Sequence, residues 1–282
     1  MDLKCKRHAN LTAWKKFVNK SKNTKGEVKI AVIGKYFNSG DFVLSYVYIS
    51  VLEAIKFSAY AEGVKPVIEY VSSRDFDKPG SKLDSLKKYD GILVPGGFGE
   101  TGIEGKIKVI KYAREHKIPY FGLCYGMQLL VVEYARHVAG IRGAGTAEIT
   151  PKGQHNVIDF MPEQKEKIAQ GDYGGTMRLG EYPAKLKVGS LAHKAYGKKT
   201  IHERHRHRYE VNPEYIDELE ESGLVFSGTS PNGTLMEIAE LQQSEHEFML
   251  GTLFNHDFLA RPLTPHPLFT AFIQAAKNKR KK

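Results

Sequence analysis

The stretch IPYFGLCYGMQLLVVEYARHVA (residues 118–139) decides the fold. Its first part, IPYFGLC (118–124), is apolar or small throughout and reads as a short strand buried on both faces. Residues 126–139 read as a helix that follows at once. A strand turning tightly into a helix is the repeating unit of an α/β sheet, and the same unit recurs on either side. Upstream, VKIAVIG (28–34), PVIEYVS (66–72) and YDGILVPGG (89–97) read as strands. Helices are expected at about 47–61, where Val51, Ala54, Ile55 and Phe57 share an apolar face, and at 103–115.

Strands alternating with helices predict an α/β fold: a mostly parallel central sheet with helices on both faces and right-handed crossovers. Beyond Gly140 the alternation is less regular. Short strands are expected at 184–189, 224–230, 235–241 and 248–254, with a closing helix at 266–276. One domain, residues 27–276, is the simplest division. Before it lies an extension, residues 1–26, in which Leu11, Trp14, Phe17 and Val18 recur at helical spacing and predict a short amphipathic helix packed on a neighbour. A basic tail, residues 277–282, follows it.

No apolar run approaches the ~18 residues a membrane span requires, and the first residues lack the apolar core of a signal peptide. Two cysteines, Cys5 and Cys124, do not make a disulfide framework in a chain of 282 residues, so a reducing, cytoplasmic setting is expected. The net charge of +10 lies partly in KNKRKK (277–282) and in the lysines of the extension, which read as solvated ends. Nucleic-acid binding is not expected, since neither zinc-finger spacing nor an aromatic RNA-binding signature accompanies the charge.

The strongest chemical feature is GLCYGMQ (122–128). Cys124 stands between a strand and a helix, with Gly122 and Gly126 two positions to either side, in the form of a nucleophile elbow with Cys in place of Ser. A helix N-terminus favours the thiolate. The amide of Tyr125 and one from the glycine-rich turn GGFGE (96–100) can converge as an oxyanion hole, worth roughly 3 kcal/mol per donor. A buried structural cysteine is the alternative reading. In RHRHR (204–208) an extended backbone would put Arg204, Arg206 and Arg208 on one face and His205 and His207 on the other. That face reads as a charged surface or an anion clamp. No metal site is expected, for want of ligand spacing, and GGFGETG is neither a phosphate loop nor a dinucleotide fingerprint.

Several segments together resemble the CTP synthase family: VPGGFG (94–99), EGK (104–106), GLCYGMQLLVVEYAR (122–136), GGTMRLG (174–180), ERHRHRYEVNP (203–213) and RPLTPHPLF (261–269). The resemblance spans about residues 28–272 and is to the C-terminal class I glutamine amidotransferase (glutaminase) domain. It implies that fold, with glutamine hydrolysed to glutamate and ammonia through a cysteine thioester. The ammonia would serve a separate N-terminal synthetase domain that uses ATP and Mg²⁺ to convert UTP to CTP, with GTP as activator, in a homotetramer. No cofactor is expected within this domain, and without the synthetase domain the chain is not expected to make CTP. The extension resembles the end of the synthetase-to-glutaminase connection. Carried over residue by residue, Cys124 matches the nucleophile and Gly97 and Tyr125 the oxyanion hole. Gln128, Glu148 and Arg208 match residues that hold glutamine, and a guanidinium for its α-carboxylate and a carboxylate for its α-ammonium are what the ligand chemistry requires.

The sequence departs from the family at the general base. Where the family has His-Pro-Glu after an aromatic residue, this chain has FNHDF (254–258). Asn255 takes the His position, His256 the Pro position and Asp257 the position of the orienting Glu, with Phe254 and Phe258 expected to hold the register. On an extended segment His256 faces away from the side its predecessor occupies. Thr101 stands where the family has Arg, Tyr125 where it usually has Leu, and Tyr46 where an acidic residue is common. Two outcomes are open: a hydrolase using His256 irregularly, or a glutamine-binding or interaction domain without turnover. A different cysteine hydrolase is a third.

Overall fold

The computed structural model describes residues 10–35, 38–39, 42–43, 48–160 and 177–281. Cys5, Tyr46 and the first residues of the 174–180 motif lie outside them. The chain begins with α1 (Thr12–Lys22), then β1 (Glu27–Gly34), a small hairpin of β2 (Asn38–Ser39) and β3 (Phe42–Val43), α2 (Ile49–Ala61) and β4 (Lys65–Ser72). Next come β5 (Gly91–Val94), α3 (Ile103–Glu115), β6 (Tyr120–Leu123) and α4 (Tyr125–His137). The second half holds β7 (Gly145–Thr146), β8 (Asn156–Phe160), β9 (Arg178–Leu186), α5 (Leu191–Tyr196), β10 (Thr200–His207) and β11 (Tyr209–Val211). It ends with α6 (Ile216–Glu221), β12 (Val225–Thr229), β13 (Met236–Glu240), β14 (Met249–Thr252) and α7 (Pro267–Lys281).

Nine strands form one sheet in the order β10-β9-β12-β13-β14-β6-β5-β1-β4. From β4 to β14 neighbours run parallel. From β14 to β10 they run antiparallel. The parallel half is the part whose strand–helix alternation is regular in the sequence. The antiparallel half is where that alternation fails, because hairpin-joined strands need no crossover helix. The strands β1, β5 and β6 bury both faces, and their side chains divide between two cores. Ala31, Ile33 and Ile92 pack with α3 and α4 on one side. Val28, Ile30, Val32, Leu93 and Phe121 pack with α2 and α7 on the other. That division is the period-2 alternation of a doubly covered strand.

Two features differ from expectation, one a helix boundary and one a packing face. The closing helix does not end at Ala276 but runs to Lys281, because its last turns are anchored. Lys279 Nζ donates to the Tyr89 carbonyl at 2.8 Å, and Arg280 pairs with Asp90 at 3.2 Å and Glu27 at 3.1 Å. The basic residues at 277–281 are thus part of the body. In α1 it is Phe17 that packs, edge-on to Phe57 and Tyr60 of α2, whereas Leu11 and Trp14 stay about half exposed (51% and 46%). No helix among the described residues is long and apolar enough to cross a membrane.

Candidate active site

Cys124 sits at the join of β6 and α4 with φ 50° and ψ −100°, a backbone state that L-residues adopt only when their surroundings enforce it. Its amide is fixed by the Thr252 carbonyl of β14 at 2.7 Å, and its own carbonyl accepts from Met127 and Gln128. Both flanking glycines are sterically required. A Cβ at Gly122 would lie 2.6 Å from the Gly126 carbonyl carbon, and one at Gly126 would lie 2.2 Å from the Val94 carbonyl oxygen. The glycines therefore let β6, α4 and β5 approach closely, and the turn in between projects the thiol.

The thiol lines a cavity of about 400 Å³ together with Gly96, Gly97, Phe98, Arg206, Asn255, Asp257, Tyr48 and Ser50. Gly97 lines this cavity, and the Tyr125 amide is bonded towards the sulfur. The sulfur lies 3.9 Å from the Arg206 carbonyl. Burial nevertheless pushes the thiol up to about 12, a trend the Tyr125 amide opposes and the carboxylates of Glu148, Asp257 and Glu210 reinforce.

The residues at 255–257 divide as the sequence register predicts. Asn255 lines the cavity, and its amide nitrogen comes within 3.8 Å of where a Cβ on Gly96 would sit, beside the Cys124 Cβ at 3.6 Å. Asp257 also lines it, and its carboxylate accepts from Ser50 Oγ at 2.6 Å; burial raises its pKa. His256 does not reach the cavity. It starts a 3₁₀ turn (His256–Leu259) and is fully buried among Phe121, Phe254, Phe269 and His266. Its Nδ1 lies 3.1 Å from Thr252 Oγ1, and burial drives its pKa well below the usual imidazole value. His256, the alternative base that the sequence left open, thus sits in a largely aromatic nest and is not among the residues that line the cavity with Cys124. Phe254 is buried and fixes the register, but Phe258 does not; it is 43% exposed at the cavity mouth.

Gln128, Glu148 and Arg208 are not among the residues lining the cavity. Gln128 Nε2 donates to the Tyr209 carbonyl at 3.1 Å. Glu148 Oε1 accepts from the Gly99 amide at 2.6 Å, and burial raises its pKa against the pull of Lys35, Arg208 and Lys106. The 96–99 turn therefore meets Cys124 at one end and Glu148 at the other. Tyr125 Oη donates to the Gly99 carbonyl at 3.0 Å and helps to hold the turn down. Arg204 and Arg206 of β10 do share an exposed face opposite buried His205 and His207. Ser50, Lys35 and Lys106 were not read as site residues; each carried a signal only as part of a segment of the resemblance, YISVLEAI (48–55), GKY (34–36) and EGK (104–106).

A cysteine elbow at the end of β6, within the parallel half, faced by a glycine turn and closed by residues from the loop after β14, defines the class I glutamine amidotransferase fold. A model of that class, "Glutamine amidotransferase class-I", matches residues 43–275. CTP synthase of Halalkalibacterium halodurans is 49% identical over 279 residues, covering 99% of this chain and 50% of that protein. CTP synthase of Thermococcus kodakarensis is 45% identical over 275 residues, covering 97% and 49%. Among solved structures, the Trypanosoma brucei CTPS glutaminase domain with bound acivicin superposes with a TM-score of 0.81 at 33% identity, covering 89% of this chain and 94% of that one. The chain belongs to the CTP synthase family, as a glutaminase-type domain, and spans about half the length of the curated relatives it matches.

Proposed function

We propose that this chain binds glutamine beside Cys124 and does not hydrolyse it, as a glutaminase-type domain that has lost its amide chemistry. One observation carries the reading: the cavity position next to Cys124, where the family places its general base, is Asn255. A carboxamide accepts no proton near neutral pH, so Asn255 cannot draw the thiol proton away as an imidazole would. With burial holding the thiol near 12, roughly one molecule in 10⁵ carries the thiolate at pH 7. Glu148 and Arg208, retained beyond the 96–99 turn, supply a carboxylate and a guanidinium for the two charges of an amino acid.

In this reading the natural partner is a synthetase domain of the same family, to which the chain delivers no ammonia. ATP, Mg²⁺ and UTP belong to that partner, GTP to the joint between them, and a tetramer to the assembled protein. The test is glutamate release from glutamine by the purified chain, with and without GTP, beside a Cys124→Ala control and a calorimetric glutamine titration. Saturable binding without Cys124-dependent glutamate is the expected result. Steady glutamate release that disappears in Cys124→Ala would show that another base serves the thiol and overturn the reading.

A further inference from the structure

Behind the 96–99 turn lies a buried amine with no role in the chemistry above. Lys106, on α3, is fully buried, and its Nζ has no hydrogen-bond partner among the described residues. It stands 5.3 Å from the centre of the Tyr125 ring and 3.8 Å from where a Cβ on Gly97 would be. An ammonium held this way is among the most costly groups a core can contain.

The groups that bear on it are few. Lys35, at the end of β1, donates to the carbonyls of Phe98 and Gly99. Glu148 approaches from the loop after β7 and is bonded to the Gly99 amide. Tyr125 comes from α4, with its hydroxyl on the Gly99 carbonyl. Arg208 acts on the same Glu148 carboxylate. Three cations thus share one anion. Arg208 does not deprotonate; burial lowers the Lys35 pKa against the pull of Glu148, but its amine has carbonyl acceptors that favour the charged form. Lys106 has neither safeguard, and burial, with repulsion from Lys35, lowers it to about 7 despite the opposing pull of Glu148.

We propose that Lys106 is the exchangeable counter-charge of Glu148: when a ligand ammonium pairs with that carboxylate, Lys106 gives its proton to solvent and remains under the Tyr125 ring as a neutral amine. This rests on the proposed glutamine site and names Lys106 as a positioning residue of it. Three cations and a fourth arriving from the ligand cannot all be neutralised by one carboxylate in a buried site, and the one with the weakest hold on its proton yields.

The experiment is calorimetric titration of the full chain with glutamine at pH 6.0 and pH 8.5, each in two buffers of different ionisation heat. At pH 6.0 about one proton should leave per glutamine bound, and at pH 8.5 almost none, with affinity falling roughly tenfold for each pH unit that the solution is taken below 7. Lys106→Met, or Lys106→Gln should the first not fold, should bind glutamine with no proton release at pH 6.0. Des-amino glutamine, which lacks the ammonium, should release none from the unaltered chain. Glutamine binding without proton release, or release that persists in the Lys106 variants, overturns this inference alone. Failure of glutamine to bind at all overturns it together with the proposed site.

Discussion

Asn255 and His256 are one backbone step apart and lie in different media, the first beside the thiol and the second inside a nest of aromatic rings. The division was legible because the buried Phe254 anchors the segment, so a single residue of offset sends a side chain to the other side. The Ser50–Asp257 bond was not legible. Its partners are 207 residues apart, and neither has a local pattern announcing the other. Two outcomes follow at this scale. Asn255→His puts an imidazole beside the thiol, and glutamate release should rise at least ~100-fold, the lower range of a positioned general base, and vanish again on adding Cys124→Ala. A variant as silent as its parent would mean that Asp257, tied to Ser50, cannot orient the new ring. His256→Phe tests the nest. The folded chain holds His256 neutral while the unfolded chain protonates it near pH 6.5, so below that pH the unfolded state binds more protons and stability falls as pH drops. Relative to His256→Phe, the parent should lose about 1.4 kcal/mol per pH unit between pH 6 and 4.5. Parallel urea midpoints across that range would contradict it.

At the scale of elements, strand and helix identities in the parallel half were legible because short apolar, β-branched runs alternate with longer helical stretches, amphipathic in α3 and buried almost throughout in α4. The antiparallel half was legible as short strands but not in its order, since period-2 patterns do not specify partners. The alternation in ERHRHRYE gave the buried face of β10 without showing what it meets. That face carries His205 and His207, 2.8 Å apart, over a carboxylate pair. Arg178 of β9 reaches it with Nη1 2.7 Å from Glu237 and 3.6 Å from Glu210, and its guanidinium stacks 4.4 Å from the Tyr182 ring centre. Burial raises the pKa of both carboxyl groups and lowers both imidazoles, to about 2 for His205 and about 3 for His207. Arg178 is therefore the cation that makes this layer tolerable. Arg178→Met should destabilise the domain by about 3–5 kcal/mol, the cost of orphaning a buried charge, read as a shift in urea midpoint at pH 7. A loss below ~1 kcal/mol would show that protonation of Glu210 and Glu237 already neutralises the layer.

At the scale of the whole molecule the sequence overstated how much of the charge is idle, because a run of lysines looks the same whether it frays or docks. Lys279 and Arg280 dock through a carbonyl and two carboxylates supplied by residues near positions 27 and 90. The opposite holds for the extension. Its helical spacing predicted packing, yet no residue of α1 is buried, and its hold on the body runs through Phe17 against Phe57 and Tyr60. Two edge-on ring contacts and the Lys20 bond to the Ala61 carbonyl cannot offset the ordering of eleven residues by a wide margin. The strands β1, β5 and β6 lie between two complete cores. Stability should therefore be graded across the molecule: amides of α1 should exchange with deuterium through local opening, orders of magnitude faster than those of β5 and β6, which should exchange only on global unfolding. Added denaturant should speed the strand amides strongly and leave the α1 amides almost unchanged. Phe17→Ala should push α1 to nearly unprotected exchange and leave the strands untouched. If instead α1 exchanged in step with β6, the helix would belong to the cooperative body, and the ring contacts of Phe17 would hold far more than their geometry allows.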